Sequence, residues 1–232
     1  VCLVSVPQRK AGGTMTSTRD LSRLPDVKSL RRNLQAMALL DAILCPQWDL
    51  RYYSFSSTWA PGEEMGSMRN GSGDDFFAHF SAAGCWLKGF DHESPMSPYA
   101  GDEQRQWPGV IDAVPDEFAA CLQEPAFKVK DVTFCIWRRY SDPAWQVGPV
   151  EFPPGHGDPD GSSLLLQMLD GRPESYRDWA RSYYEHAVNL AAVECIYRHD
   201  ALTAEIVENL NPAISLADLA ADIREIGYPS QG

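Results

Sequence analysis

In residues 29–45 the apolar side chains Leu30, Leu34, Met37, Leu40, Ile43 and Leu44 recur at helical spacing, and beyond Pro46 that period disappears. A change of period of this kind confines the chain to folds that join an amphipathic helix to a sheet. Ser29 is placed to cap the helix and Pro46 to stop it. Residues 51–55, 64–68, 75–80 and 84–90 follow as short, mostly aromatic-rich stretches. Asn70-Gly71-Ser72-Gly73 and Ala82-Ala83-Gly84 between them are turn sequences. Together they predict a three- or four-stranded antiparallel meander. Residues 131–140 predict a further strand, with Val132, Phe134, Ile136 and Arg138 on one side and Thr133, Cys135 and Trp137 on the other. Two largely apolar faces suit a central position.

Residues 112–123 read as a helix around Pro115 with Phe118 and Leu122 on one face, and residues 141–162 as a loop rich in Pro and Gly. The tail then turns helical. Residues 163–169 form a short helix ended by Gly171. Residues 173–199 predict one long helix striped by Tyr176, Trp179, Tyr183, Ala187, Leu190 and Ile196, about 40 Å in length. Residues 203–210 and 215–226 predict two more, the second with a Ser215–Asp218 capping pair and Gly227 at its end. The class is therefore α+β: an N-terminal helix, an antiparallel sheet of about four to five strands and a helical C-terminal third. Residues 1–18 are expected to be a disordered or non-native leader, with Met15 a natural start. Residues 19–162 form the α+β core domain, and 163–232 a helical region packed on it.

Seven Trp, nine Tyr and nine Phe in 232 residues exclude global disorder. No apolar run approaches the roughly 18 residues of a membrane span, which points to a cytoplasmic protein. Cys2, Cys45, Cys85, Cys121, Cys135 and Cys195 show no CxxC spacing and read as small hydrophobes in a reducing compartment. The net charge of −12 is unevenly spread, with +5 in residues 1–40 and −17 in the rest. Residues 91–124 hold eight acids against Arg105 alone. Such a field repels phosphate backbones and attracts basic proteins, so no direct nucleic-acid partner is expected.

The dinucleotide, P-loop, nucleophile-elbow and zincin motifs are absent. His79, His92, His156, His186 and His199 show no metal-ligand spacing, so neither a metal nor a cofactor is expected. Two local clusters remain. Asp91-His92-Glu93-Ser94 sets a strand-end imidazole between carboxylates, suited to a general base, with Cys85 or Cys135 on an adjacent strand as a nucleophile; the plainer alternative is a polar turn before Pro95 and Pro98. His156-Gly157-Asp158-Pro159-Asp160-Gly161 resembles the start of a calcium loop, but lacks the distant Glu and is interrupted by Pro159. Arg69, Arg138 and Arg139 are expected to pair with internal carboxylates such as Asp74 or Asp75, Arg138 and Arg139 pointing to opposite faces. The last two helices are too acidic at Asp218, Asp222 and Glu225 to read DNA.

The strings running from Trp59 through Asp75 and from Lys88 through Pro98, with Trp107-Pro108-Gly109-Val110, Val114 to Phe118 and Thr133 to Arg138, resemble a family of bacterial proteins without a described enzyme activity. The overall plan is similar to immunity proteins of bacterial toxin systems, including the SUKH superfamily. The resemblance implies a small, acidic, cytosolic α+β protein that neutralises a secreted toxin, often a nuclease, delivered by contact-dependent or type VI secretion. It implies no catalytic residues. The helical tail is longer than a minimal SUKH domain.

Charge and resemblance together make a toxin inhibitor the leading expectation. Its contact surface is expected at Asp91, Glu93, Asp102, Glu103, Asp112, Asp116 and Glu117, with Tyr99 and Trp107 as aromatic anchors. The partner is a cognate, basic toxin. The rivals are a small hydrolase using His92 with a neighbouring carboxylate, and an interaction module whose helix 173–199 is a homodimer contact.

Overall fold

The computed structural model describes residues 15–229. Helix α1 (Val27–Leu44) starts two residues before Ser29, because Asp26 is the cap and accepts the Ser29 backbone N–H at 2.9 Å. A cap of this kind is worth about 1 kcal/mol. From Leu34 to Leu44 every residue of α1 is buried, so this helix is the centre of the molecule and not a surface element. Among the described residues no helix is long and apolar enough to cross a membrane.

Strands β1 (Tyr53–Ala60), β2 (Glu63–Arg69), β3 (Asp75–Ser81), β4 (Gly84–Phe90), β5 (Phe134–Arg139) and β6 (Gln146–Val147) form one antiparallel sheet in sequential order. The expected four to five strands become six because the Pro/Gly loop contributes the two-residue β6. Side chains divide by sheet face with period two. Phe76, Ala78, Phe80, Cys85, Leu87, Phe134 and Ile136 join α1 in the larger core. Trp86, Cys135 and Trp137 join a second core, roofed by Met96, Val110, Phe118, Cys121, Phe127 and Val129 from the long β4–β5 excursion. Val132 belongs to that second core and not with Phe134, since β5 begins only at Phe134. The expected helix at 112–123 is a 3-10 turn at Asp116–Leu122, in which Phe118 and Cys121, three apart, are the buried pair.

The tail comprises α2 (Ser162–Leu166), α3 (Pro173–Tyr183), α4 (Leu190–Arg198), α5 (Ala204–Leu210) and α6 (Ala220–Ile226). The single helix expected over 173–199 is broken. Tyr184 ends α3, Glu185 takes φ +57, and Asn189 caps α4 by accepting the Ala192 N–H at 3.2 Å. The break folds α4 back on α3 and α1, so Trp179 and Ile196 enter one core from two directions. No 40 Å rod is left to serve as the expected dimer contact. The final expected helix shortens to α6, although Ser215 and Asp218 do exchange hydrogen bonds.

Asp41, in the middle of α1, ties these layers together. Its carboxylate accepts the N–H groups of Tyr52 and Tyr53 at 2.9 and 2.7 Å and the Tyr176 hydroxyl at 2.5 Å. The leader expectation over residues 1–14 lies outside the described residues, but residues 15–18 depart from it. Thr16, Ser17 and Thr18 are buried, and the Thr18 hydroxyl bonds the Asp160 carboxylate.

Candidate functional site

Three loops converge beyond the C-terminal end of β4. The β2–β3 turn is tightened by Asn70, whose Oδ1 accepts the N–H groups of Ser72 and Asp74 at 2.8 and 3.1 Å and whose amide donates to Asp74 Oδ2 at 2.6 Å. That fixes the buried Asp74 carboxylate toward the chain leaving β4. Its Oδ1 accepts both the backbone N–H of His92 at 2.9 Å and the ring Nδ1–H at 2.6 Å. The third loop carries residues 158–162. Ser94 Oγ donates to the Pro159 carbonyl and Thr133 Oγ1 to the Asp160 carbonyl, each at 2.7 Å. Thr133 Oγ1 also accepts the Asp91 N–H at 3.2 Å.

Two glycines make the convergence possible. Gly161 has φ +72, and a Cβ there would stand 2.3 Å from Asp91 Oδ2; Gly73 has φ +120, and a Cβ there would press on the His92 ring at 3.3 Å. The two clusters read separately from the sequence are thus one site. The calcium-loop reading fails within it, because Asp158 caps α2 through the Ser163 and Leu164 N–H groups and Asp160 turns inward to Ser162 and Thr18.

The electrostatics are those of crowded acids. Burial, followed by the charge of Asp74, holds Asp91 above the usual carboxylate range. Burial does the same to Asp160. The hydrogen bond to Asp74 raises His92. One His92 ring nitrogen and one oxygen from each of Asp74 and Asp91 lie within 4.8 Å of one another.

The remaining expected contact residues are dispersed over the excursion. Glu93, Asp102, Glu103, Asp112 and Asp116 are exposed. Asp112 spends one oxygen on the Gly109 N–H at 2.8 Å. Glu117 is ion-paired with Arg139 at 2.9 Å, and Asp91 is turned inward against Gly161. Tyr99 is exposed, with its hydroxyl donating to Asp131 at 2.5 Å. Trp107 is half-buried on the second core, with Nε1 bound to the Glu151 carbonyl at 2.9 Å.

The arginine expectation fails for Arg69 and Arg138, and Arg139 pairs with carboxylates other than Asp74 or Asp75. Arg69 stacks on Trp48, Arg138 donates to the Asp142 and Pro143 carbonyls, and Arg139 takes Glu117. Asp75 is instead claimed by the fully buried Lys88, whose Nζ donates to it at 2.7 Å and to the Asp131 carbonyl at 2.8 Å.

For hydrolysis His92 lacks the expected thiol partner. Cys85 and Cys135 lie in opposite cores, and burial raises both thiols. Three clefts of the described residues, of about 520, 350 and 460 Å³, are not lined by His92.

Sequence reasoning missed one further chain of groups. Cys121 Sγ–H donates to His79 Nδ1 at 3.3 Å when His79 Nε2–H donates to Glu63 at 3.0 Å. The order resembles a nucleophile–base–carboxylate relay, yet burial pushes the Cys121 thiol up to about 12. With thiol and imidazole both buried, it satisfies polar groups within the second core. Residues 58 positions apart in sequence offered no local signal for it.

Comparison of the chain with family models, curated proteins and solved structures gives no match.

Proposed function

We propose that the protein is an immunity protein, cytoplasmic and non-catalytic, that binds and neutralises a basic toxin through the acidic face of its β4–β5 excursion. The observation that carries this reading is the exposure of Glu93, Asp102, Glu103, Asp112 and Asp116 within residues 91–124, where Arg105 is the one Lys or Arg; Lys128 and Lys130 follow later in the excursion. Arg105 is itself within 3.8 Å of Glu103. Carboxylates displayed this way raise the association rate of a cationic partner and can stand where nucleic-acid phosphates would lie on a nuclease. The surface is smaller than the sequence suggested, since Asp91 is turned inward against Gly161, while Glu117 stays exposed in an ion pair with Arg139. Tyr99 is its exposed aromatic group, and Trp107 serves the core beneath.

The hydrolase alternative draws on the Asp74–His92 pair, which is the geometry of an oriented base. Its expected thiols, Cys85 and Cys135, are buried in opposite cores, and the binding reading accounts for the charge. The test is affinity purification of the tagged protein co-expressed with the product of its adjacent reading frame, followed by a salt titration. A stoichiometric basic partner released as salt rises is the expected result. Absence of any partner at low salt contradicts the reading and returns His92 to a panel of hydrolase substrates.

A further inference from the structure

We propose that Asp74, Asp91 and His92 form a binding site for a divalent transition-metal ion of the zinc or manganese class. The donor atoms of the three side chains already lie within 4.8 Å of one another. A first-row ion holds nitrogen and oxygen ligands at about 2.0–2.2 Å, so donors around it sit roughly 3–4 Å apart, within reach of small side-chain rotations. The imidazole favours zinc and its neighbours over magnesium or calcium, and the two carboxylates keep manganese within the class.

The donors are carried on backbone that is already fixed. Asp74 is anchored by Asn70 on one oxygen and His92 on the other. Asp91 has its N–H bonded to Thr133 and its side chain confined by Gly161. The local charge also favours a cation, because Asp74 and Asp158 both act on Asp91 with like sign. One proton now bridges His92 Nδ1 and Asp74 at 2.6 Å. A metal bound at Nδ1 displaces that hydrogen bond, the ring proton then sitting on Nε2. The exposed His92 ring and the Glu93 carboxylate, 3.9 Å from Nε2, leave one side open to water as further ligand. The inference does not depend on the toxin-binding reading.

The experiment is calorimetric titration of the full chain with Zn²⁺, and separately with Mn²⁺, at neutral pH. The expected result is saturable one-to-one binding, at least tenfold weaker in His92→Gln and Asp91→Asn and unchanged in Asp102→Asn/Glu103→Gln. Mn²⁺ added to the unaltered protein is expected to broaden the His92 ring resonances ahead of those of His156 and His186, a readout that needs no variant to fold. Absence of one-to-one binding, equal loss in the Asp102→Asn/Glu103→Gln control, or unchanged affinity in His92→Gln overturns the proposal.

Discussion

One oxygen of Asp74 receives both the backbone N–H and the ring Nδ1–H of His92, at 2.9 and 2.6 Å, although 18 residues separate them. The link follows from hairpin arithmetic. The two-residue turn at Ala82-Ala83 pairs Ser81 with Gly84, and the register runs without a slip to Asp75 opposite Phe90. One step past each strand end sets Asp74 beside Asp91, and the next residue is His92.

Gly161→Ala tests how tightly the three loops are joined. The substitution places a side chain at φ +72 and drives its Cβ into Asp91. The expected cost is about 2–3 kcal/mol, combining the left-handed penalty with displacement of Asp91. Thermal unfolding checks it, with a fall of roughly 4–10 °C for a chain of this size. An unchanged midpoint contradicts the close approach.

Asp41 predicts an acid-side stability profile. Burial pushes its pKa up to about 6 from an ordinary 3.8, against the opposing hydrogen bonds of Tyr176, Tyr53 and Tyr52. The folded state therefore binds the proton more tightly than the unfolded chain does. Its contribution is full below pH 4 and is lost as pH rises through 6. The loss is on the order of 3 kcal/mol from a two-unit difference. Urea denaturation of the native protein and Asp41→Asn across pH 4–7 isolates this term, and the native-minus-variant stability should fall over that window. A flat difference contradicts the assignment.

The buried Lys88–Asp75 pair predicts an asymmetry between single and double variants. Lys88→Ala leaves Asp75 without its ammonium in a site where Lys88 is fully enclosed. Removing one partner of such a pair costs about 3–5 kcal/mol. Lys88→Met combined with Asp75→Asn leaves no orphaned charge and is expected to recover part of that loss. Denaturant midpoints decide it: a double variant as unstable as Lys88→Ala counts against the pair.

The sheet was legible in the residues because alternation and turns act locally. The strand over Gly84–Phe90 is bounded where its turn and apolar run end, and the Ala82-Ala83 turn already contained the Asp74–Asp91 juxtaposition. Asp74 carries no local signal for His92, because charge alone points it to an arginine and the imidazole stands in sequence between Asp91 and Glu93. The break between α3 and α4 was hidden for a different reason. The apolar stripe continues in phase across residues 184–189 with neither Pro nor Gly to interrupt it, and the cap at Asn189 was the local signal of a new start. Lys88 is held by Asp75 and by the Asp131 carbonyl, 43 residues away in sequence, a contact that no local pattern reveals.

The acidic face is tested most directly by measuring, in a calorimeter, the affinity of the co-purified partner for the native protein and for Glu103→Lys/Asp116→Lys. Both side chains are exposed, so the variant is expected to keep the native circular dichroism and melting temperature. The account predicts binding weakened by at least tenfold, with a reduced dependence on salt. Unchanged affinity in a folded variant removes the excursion from the interface and contradicts the proposed mode of binding.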